Sequence, residues 1–311
     1  MPILEVRGLR KSYNGRPVVA GIDLEMKDGE VFGLLGPNGA GKSTTISIIS
    51  GLIKPNAGSV HIAGVDVFRD QMAARRLIGV VPQDIALYPT LTARENLAFW
   101  GHMYGLNGAP LRKRVDEVLE LVGLADRADQ RIDKYSGGMK RRINIGAGLL
   151  HRPKLLLMDE PTVGIDPQSR NHILDTVREL NRQGTSVLYT SHYMEEVEVL
   201  CDRIAIMDLG KVIACGSLNE LRLLVGDKDV ISIQANVSDA RVLEGLRALP
   251  GIDAVSKDDG HVRVVAPYGR KVLGDAVACL VGAGIKVRSI EIKEPDLEGV
   301  FLHLTGKALR D

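Results

Sequence analysis

The sequence predicts an α/β domain with a mixed, mostly parallel sheet, followed by a smaller α+β domain. Between residues 31 and 207, short apolar runs alternate with stretches of helical spacing, as expected of parallel strands joined by crossover helices. A glycine-rich loop joins the first of these runs to a helical stretch. Near residue 226 the pattern changes to strand, helix, two strands, helix and strand, which indicates a separate small core.

The chain begins with a predicted antiparallel hairpin. The runs Ile3–Leu9 and Val18–Met26 alternate apolar and polar residues, and Asn14-Gly15 between them is a favoured turn. The strands of the larger sheet follow, and each is a continuous apolar run, as expected of a strand buried on both faces. These strands are predicted at Val31–Leu35, Ile78–Val81, Leu155–Met158, Ser186–Tyr189 and Arg203–Met207.

Residues 92–134 have a different character, because their apolar residues, such as Val115 and Val118, fall at helical spacing with no strand between them. We interpret this segment as a helical insertion between two strands of the sheet. The later change of pattern predicts a boundary that divides the chain into domains 1–225 and 226–311. The βαββαβ order of the second domain is typical of a ferredoxin-like fold.

Composition excludes several classes of function. The chain has 311 residues, a net charge of +1 and 4% aromatic residues, so it lacks the basic excess and stacking surface of a nucleic-acid-binding protein. Cys201, Cys215 and Cys279 do not have the number or spacing of a disulfide framework or a metal site, which favours a reducing cytoplasm. The apolar stretch Val272–Val287 is short and contains Asp275, so any membrane role requires a partner.

The segment Gly36-Pro37-Asn38-Gly39-Ala40-Gly41-Lys42-Ser43 matches G-x-x-x-x-G-K-[ST] and lies between a predicted strand and a predicted helix. Glycines let successive backbone N–H groups point at an anion, and a helix N-terminus favours negative charge. Lys42 is expected to reach the β- and γ-phosphates of ATP, and the Ser43 hydroxyl to bind Mg²⁺. The predicted nucleotide contacts here are Asn38, Gly39, Ala40, Gly41, Lys42, Ser43 and Thr44.

Two adjacent carboxylates follow the buried run Leu155–Met158. Asp159 leaves the carboxyl end of a strand, where α/β sheets bind ligands, and is predicted to hold Mg²⁺. Glu160 is the candidate general base that activates the attacking water. Most kinases with this loop need no second acid, because their nucleophile is a substrate hydroxyl. The pair therefore favours hydrolysis over a kinase reaction.

A second glycine pair opens a helical stretch in Tyr135-Ser136-Gly137-Gly138-Met139, and this is another anion-binding helix start. With the phosphate loop and the adjacent carboxylates, this segment resembles the ATP-binding cassette family, whose signature is usually Leu-Ser-Gly-Gly-Gln. Tyr135 and Met139 replace the usual Leu and Gln, whereas Ser136, Gly137 and Gly138 are intact. The resemblance covers about residues 3–225.

The resemblance implies roles for further residues. Gln83 resembles the family's glutamine loop, with a catalytic role and a contact to the metal. His192 resembles the switch histidine, also catalytic, and Asp166 the aspartate loop at the nucleotide. Tyr13 is placed like the aromatic residue that stacks on adenine. In the family, two cassettes pair head to tail, and each ATP lies between the phosphate loop of one and the signature loop of the other.

The resemblance also implies partners. A homodimer or a paired cassette is expected, bound to an integral membrane permease on the cytoplasmic face of the membrane. The tail Pro295–Gly306 resembles that of drug and polysaccharide exporters. Export is therefore favoured over import. The alternatives that stay open are a soluble cassette ATPase that acts on ribosomes or DNA and, with less support, a phosphate-loop kinase or GTPase.

Overall fold

The structure, a computed structural model, describes residues 1–225, 228–235, 237, 240–258, 260–267, 269–293 and 296–306. The chain divides into two compact units, Met1–Val212 and Ile213–Asp311, which are described separately below. Gly226 and Asp227, at the predicted domain boundary, and Pro295 of the tail lie outside the described residues. The boundary at 225 stays a prediction.

The first unit opens with an antiparallel sheet. Its strands are β1 (Leu4–Tyr13), β2 (Arg16–Met26), β4 (Ala57–Ile62) and β5 (Val65–Asp66), in the order β2-β1-β4-β5. The predicted hairpin is confirmed, and its turn residues Asn14 and Gly15 have φ values of 49° and 77°, as a type I′ turn requires. The sequence did not predict β4 and β5, because β4 begins with the weak strand formers Ala57-Gly58-Ser59.

A larger sheet forms the centre of the first unit. Its strands are β3 (Val31–Leu35), β6 (Ile78–Val81), β7 (Leu155–Asp159), β8 (Ser186–Ser191), β9 (Arg203–Asp208) and β10 (Lys211–Gly216), in the order β10-β9-β3-β8-β7-β6, and only the first two residues of β10 belong to the first unit. Four neighbouring pairs in this sheet are parallel: β9 with β3, β3 with β8, β8 with β7, and β7 with β6. Helices α1 (Lys42–Ile49), α2 (Gln71–Leu77), α6 (Pro167–Arg182) and α7 (Met194–Leu200) belong to this α/β body. The mixed, mostly parallel sheet is therefore confirmed, with β10 as an unpredicted addition.

The predicted helical insertion is present between β6 and β7. It contains α3 (Ala93–Met103), α4 (Gly108–Leu121), the 3₁₀ turns Ala125–Arg127 and Ile132–Lys134, and α5 (Gly137–Leu149). Thr92 begins α3 with a capping box, in which its side chain accepts from the Glu95 N–H and the Glu95 side chain accepts from the Thr92 N–H. Val118 and Leu97 are fully buried in its core.

Strand β7 separates the two hydrophobic cores of the first unit. Leu156 and Met158 belong to the core shared with the helical insertion, and Leu155 and Leu157 to the core shared with the antiparallel sheet. The alternation follows from the two-residue period of a strand. Because all four residues are buried, the direction and depth of β7 are fixed, and so is the place where Asp159 emerges.

The second unit contains the remaining elements: α8 (Leu218–Val225), β11 (Lys228–Ala235), α9 (Ala240–Arg247), β12 (Ala254–Asp258), β13 (His261–Pro267), α10 (Gly269–Gly282), β14 (Val287–Lys293) and α11 (Leu297–Thr305). Its strands pair antiparallel in the order β12-β13-β11-β14. This βαββαβ order confirms the ferredoxin-like prediction. Helix α8 packs on α11. In the part of the chain that the structure describes, every helix is too short or too polar to span a bilayer.

We predict that a chain ending at Val225 folds and binds ATP. Both cores of the first unit are built from residues up to Val212, so they stay complete, whereas α8 loses its packing partner α11. Thermal unfolding and calorimetric titration with ATP check this. An insoluble product, or a soluble chain that no longer binds nucleotide, would show that the second unit is needed for the first to fold.

Candidate functional site

The phosphate loop runs from the end of β3 at Leu35 to the start of α1 at Lys42. Gly39 and Gly41 have φ values of 81° and 102°, which side chains rarely adopt. A Cβ atom on Gly41 would also lie 2.5 Å from the carbonyl oxygen of Val18. Glycine is therefore required at position 41 by the backbone itself, and the tight loop presents its N–H groups at the start of α1.

Lys42 is buried inside this loop. Its ammonium donates to the carbonyl oxygens of Gly36 (2.7 Å) and Pro37 (3.2 Å) and lies 3.1 Å from Oε1 of Glu160. Its side chain is only 4% exposed. The cation of the loop and the candidate general base are therefore in direct contact, although they are far apart in sequence.

Asp159 lies beside the loop, at the end of β7. The Ser43 hydroxyl donates to Oδ1 of Asp159 (3.2 Å), and the Thr190 hydroxyl donates to the same oxygen (2.8 Å). The Thr190 hydroxyl also accepts from the backbone N–H of Glu160 (2.9 Å). Sequence reasoning missed Thr190, whose only signal was a polar residue at the end of a buried strand. It orients both carboxylate residues.

Glu160 is 5% exposed and has a φ of 44°, in the left-handed region that non-glycine residues seldom adopt. His192 Nδ1 lies 3.3 Å from its Oε2, and Gln83 Nε2 donates to the same oxygen at 3.5 Å. The structure thus brings together the three residues predicted to be catalytic. Strained backbone conformations persist where surrounding contacts fix them, and they are common at functional sites.

Lys42, Gln83 and Glu160 line a cleft of about 170 Å³. Its lining is Val18, Asn38, Gly39, Gly41, Lys42, Ser43, Thr44, Gln83 and Glu160. Val18 is an addition that no sequence signal revealed. Ala40 is buried behind the loop, where its carbonyl oxygen accepts from the Gly210 N–H at 3.0 Å. Tyr13 lies at the end of β1, outside this lining. The residue is 44% exposed, and the Lys11 ammonium lies 5.2 Å from its ring centroid.

The signature loop begins α5 and is absent from the lining of the cleft in the same chain. Ser136 caps the helix, because its hydroxyl accepts from the Met139 N–H at 3.2 Å. Gly138 is buried, and a Cβ atom there would lie 2.1 Å from the Ser169 hydroxyl. Ser136 and Gly137 are exposed. An exposed helix start with two glycines can accept an anion from outside the chain.

The two departures from the usual signature face inward. Tyr135 is buried, and its hydroxyl donates to the carbonyl oxygen of Arg127 at 2.6 Å, so it anchors the loop to the helical insertion. Met139 packs against the core of the insertion. Neither substitution removes a group from the exposed helix start, which keeps Ser136 and Gly137 accessible.

Asp166 caps the start of α6. The Ser169 N–H donates to its Oδ1 (2.9 Å) and lowers the pKa of the carboxyl below its ordinary value. A Cβ atom added to Gly138 would lie 3.5 Å from Oδ2 of Asp166. The aspartate loop therefore packs against the start of the signature helix. The structure thus joins Asp166 to the signature loop rather than to the cleft.

A buried carboxylate that the sequence did not reveal supports the strand before His192. Glu196 is 2% exposed and accepts from the hydroxyls of Thr162 (2.7 Å), Tyr189 (2.8 Å) and Ser191 (3.2 Å). Arg170 Nε lies 3.3 Å from its other oxygen. Burial raises the pKa of Tyr189 well above its ordinary value, so the phenol stays a donor. This network fixes β8 to the loop that follows Glu160.

The donor set of the cleft fits Mg²⁺. Ser43 and Asp159 offer hard oxygen atoms, and the Gln83 amide carries a third, whereas softer metals prefer thiolate or imidazole. Within the part of the chain that the structure describes, no group of three or more His, Cys, Asp or Glu side chains could hold a metal. Mg²⁺ needs no such group, because it is usually bound by one or two side chains together with phosphates and water.

The chain is similar to known proteins over its whole length. The family model described as "ABC transporter" matches residues 19–163. The linearmycin resistance ATP-binding protein LnrL of Bacillus subtilis (strain 168) is 50% identical, covering 99% of this chain and 100% of that protein. The daunorubicin/doxorubicin resistance ATP-binding protein DrrA of Streptomyces peucetius is 39% identical, covering 99% and 94%.

Solved structures are similar too. A chain described as the ATP binding subunit of an ABC transporter has a TM-score of 0.66 at 32% identity and covers 72% of this chain and 93% of its own. The cassette MJ0796, solved as a dimer in a post-hydrolysis state bound to ADP and Pi, has a TM-score of 0.63 at 29% identity and covers 69% and 98%. With a relative 50% identical over its full length, this chain belongs to the ABC transporter family, as one of its ATP-binding ATPase subunits.

Proposed function

We propose that this chain hydrolyses Mg-ATP at sites shared between two copies, and that it drives export through a membrane permease. The proposal is supported by a cluster of side chains at one cleft, as an ATPase requires: Lys42, Gln83, Asp159, Glu160 and His192. The signature loop of the same chain lies outside that cleft. A complete site then needs a signature loop from a second cassette.

Nucleotide binding begins at the phosphate loop. The N–H groups of the loop and of the start of α1 bind the phosphate oxygens, and Asn38, Gly39, Ala40 and Thr44 contribute through their backbone. Lys42 exchanges its contact with Glu160 for the β- and γ-phosphates. Tyr13, exposed at the end of β1, offers a ring on which adenine stacks.

Ser43, Asp159 and Gln83 would hold Mg²⁺, which would neutralise charge on the phosphates. Thr190 holds the Asp159 carboxylate in place for this role. The Ser43 hydroxyl already donates to Asp159 in this structure, so the two ligands need little rearrangement.

Glu160 orients the attacking water and accepts its proton at the carboxylate. Gln83 and His192 both contact Oε2 of Glu160, so they fix the carboxylate against the γ-phosphate end of the cleft. The side chains of Glu160 and Asp159 have different partners: Glu160 contacts Lys42, Gln83 and His192, and Asp159 accepts from Ser43 and Thr190. One carboxylate therefore serves the metal and the other the water.

Ser136, Gly137 and Gly138 of the second copy bind the γ-phosphate from the opposite side. The start of α5 supplies N–H groups and the positive end of the helix dipole. Asp166 packs against this loop and forms part of the same seam. The dimeric solved structure of a related cassette supports a homodimer, which places two identical sites about a two-fold axis.

The proposed direction of transport, export, is supported by the names of similar proteins. Their names include linearmycin resistance, daunorubicin resistance and Nod factor export ATP-binding proteins. We infer that this chain works at the cytoplasmic face of the membrane, bound to an integral permease that carries the cargo contacts. The comparisons do not favour the alternative of a soluble ATPase acting on ribosomes or DNA.

We predict that Glu160→Gln lowers turnover by about 10²–10⁴-fold, the usual contribution of a positioned base. The affinity for ATP should stay the same or increase. The substitution removes a negative charge that lies 3.1 Å from the Lys42 ammonium and competes with the phosphates for it. ATP then persists and holds two copies together by mass action. Turnover assays, calorimetry and sedimentation with Mg-ATP measure the three effects.

Asp133→Asn is a matched control, since this exposed carboxylate is outside the cleft. It should leave turnover and association unchanged. If Glu160→Gln turns over ATP at the wild-type rate, Glu160 is not the base. If it is inactive but remains monomeric with bound ATP, the site is not shared.

We predict that the chain binds membranes only when its permease is present. The test co-expresses it with a candidate permease of roughly six spanning segments, as encoded by a neighbouring gene, and separates membranes by flotation. The chain should float with that permease and remain at the bottom with an unrelated membrane protein. Flotation in both cases, or recovery with ribosomes, would contradict the exporter proposal.

A further inference from the structure

The last residues of β1 are held by the connection between α1 and β4. We call residues 50–56 the α1–β4 loop. The Lys11 ammonium donates to the carbonyl oxygen of Lys54 (2.8 Å), and the Ser12 N–H donates to Oδ1 of Asn56 (2.7 Å). The end of β1 is therefore bound to this loop by one side chain and by its backbone.

The α1–β4 loop is anchored in turn to the helix that begins at the phosphate loop. The N–H groups of Leu52 and Ile53 both donate to the carbonyl oxygen of Ser47, each at 3.0 Å. Ser47 lies in the last turn of α1, and Lys42 is the first residue of the same helix. Helix α1 thus connects the phosphate loop at one end with the contacts of β1 at the other.

The β1–β2 hairpin also borders the phosphate loop directly. Tyr13 pairs with Arg16 across the turn, and Val18, two residues further along β2, lines the cleft. A Cβ atom added to Gly41 would lie 2.5 Å from the carbonyl oxygen of Val18, so the two backbones are in close contact. The ring of Tyr13 therefore belongs to a hairpin whose position relative to the phosphate loop is fixed.

One face of the Tyr13 ring is occupied by a cation. The Lys11 ammonium lies over the ring, 5.2 Å from its centroid, a distance at which the electron-rich face of an aromatic ring attracts positive charge. The other partner of this ammonium is the neutral carbonyl oxygen of Lys54, which holds the cation in place. A base can then stack only on the opposite face of the ring.

We propose that Lys11 is a positioning residue for the base of the nucleotide. It covers one face of the Tyr13 ring, links that ring to the α1–β4 loop, and leaves the other face open for adenine. A ring that already has one orientation loses less conformational freedom when a base stacks on it, so the binding of ATP is stronger. This inference rests on the proposed stacking of adenine on Tyr13.

The test compares Lys11→Met with Lys11→Arg and with Lys54→Met. Methionine keeps much of the length of the side chain but removes the charge and the donor, whereas arginine keeps both. Lys54→Met is a matched control. It removes one positive charge from the same neighbourhood, while the carbonyl oxygen that binds Lys11 belongs to the backbone and remains.

Mg-ATP and Mg-tripolyphosphate are the two probes, each titrated by calorimetry. Both contain the phosphates that the loop binds, but only ATP carries a base. Relative to Lys54→Met, we expect Lys11→Met to weaken the Kd for ATP about two- to fivefold, which corresponds to an exposed cation–π contact, and to leave the Kd for tripolyphosphate unchanged. Lys11→Arg should match the wild-type chain with both probes.

Turnover gives a second readout, because the base is remote from the bond that is broken. The KM for ATP in Lys11→Met should rise by the same factor as the Kd, while kcat at saturating ATP stays within about twofold of the wild-type value. A general loss of structure would lower kcat as well.

A double-variant cycle shows whether Lys11 acts through the ring. Tyr13→Ala should itself weaken the Kd for ATP by about fivefold or more, the usual effect of removing a stacked aromatic side chain. Lys11→Met added to Tyr13→Ala should then leave the Kd for ATP unchanged, because no ring remains for the cation to position.

Three outcomes would overturn the proposal. The first is a wild-type Kd for ATP in Lys11→Met when Tyr13→Ala weakens binding. The second is an equal loss for ATP and tripolyphosphate, or an equal loss in Lys11→Met and Lys54→Met, which would mean that Lys11 only adds positive charge near the phosphates. The third is a full effect of Lys11→Met in the Tyr13→Ala background. Failure of the proposed stacking itself would appear separately, as a wild-type Kd for ATP in Tyr13→Ala.

Discussion

The buried contact between Lys42 and Glu160 is the interaction on which the site depends. The two side chains are 4% and 7% exposed, and their charged atoms lie 3.1 Å apart. Opposite charges this close interact strongly where water is excluded, and removing one partner of such a pair typically costs about 3–5 kcal/mol. A triphosphate brings negative charge that competes for Lys42. Nucleotide binding is therefore linked to the release of Glu160, which ties the filling of the phosphate loop to the freeing of the proposed base.

Part of this arrangement could be predicted from local sequence. The phosphate loop requires glycine at position 41 because of its backbone, and four apolar residues before Asp159 fix a buried strand. Thr190 could not be predicted as their partner, because its contact depends on the parallel register that places it opposite Asp159. The left-handed conformation of Glu160 is likewise imposed by its surroundings, since Glu has no intrinsic preference for it.

The contacts that sequence did not reveal join segments far apart in the chain. Glu196 ties β8 to the loop after Glu160, and Arg141 on α5 donates to the carbonyl oxygens of Pro82 and Gln83. Both are buried charged residues, and an isolated charged residue in a sequence is more often on the surface. The ferredoxin-like sheet of the second unit could be predicted, because the order of its strands and helices is typical of that fold.

A site built from two chains can be distinguished from a site within one chain by mixing two inactive variants. Lys42→Ala removes the cation of the phosphate loop, and Ser136→Ala the signature hydroxyl. In an equal mixture, half of the dimers are mixed and each has one complete site of two, so the account predicts about a quarter of the wild-type activity. The shared site would be contradicted if the mixture had only the summed activity of the two variants. Differently tagged chains would have to show that mixed dimers had formed.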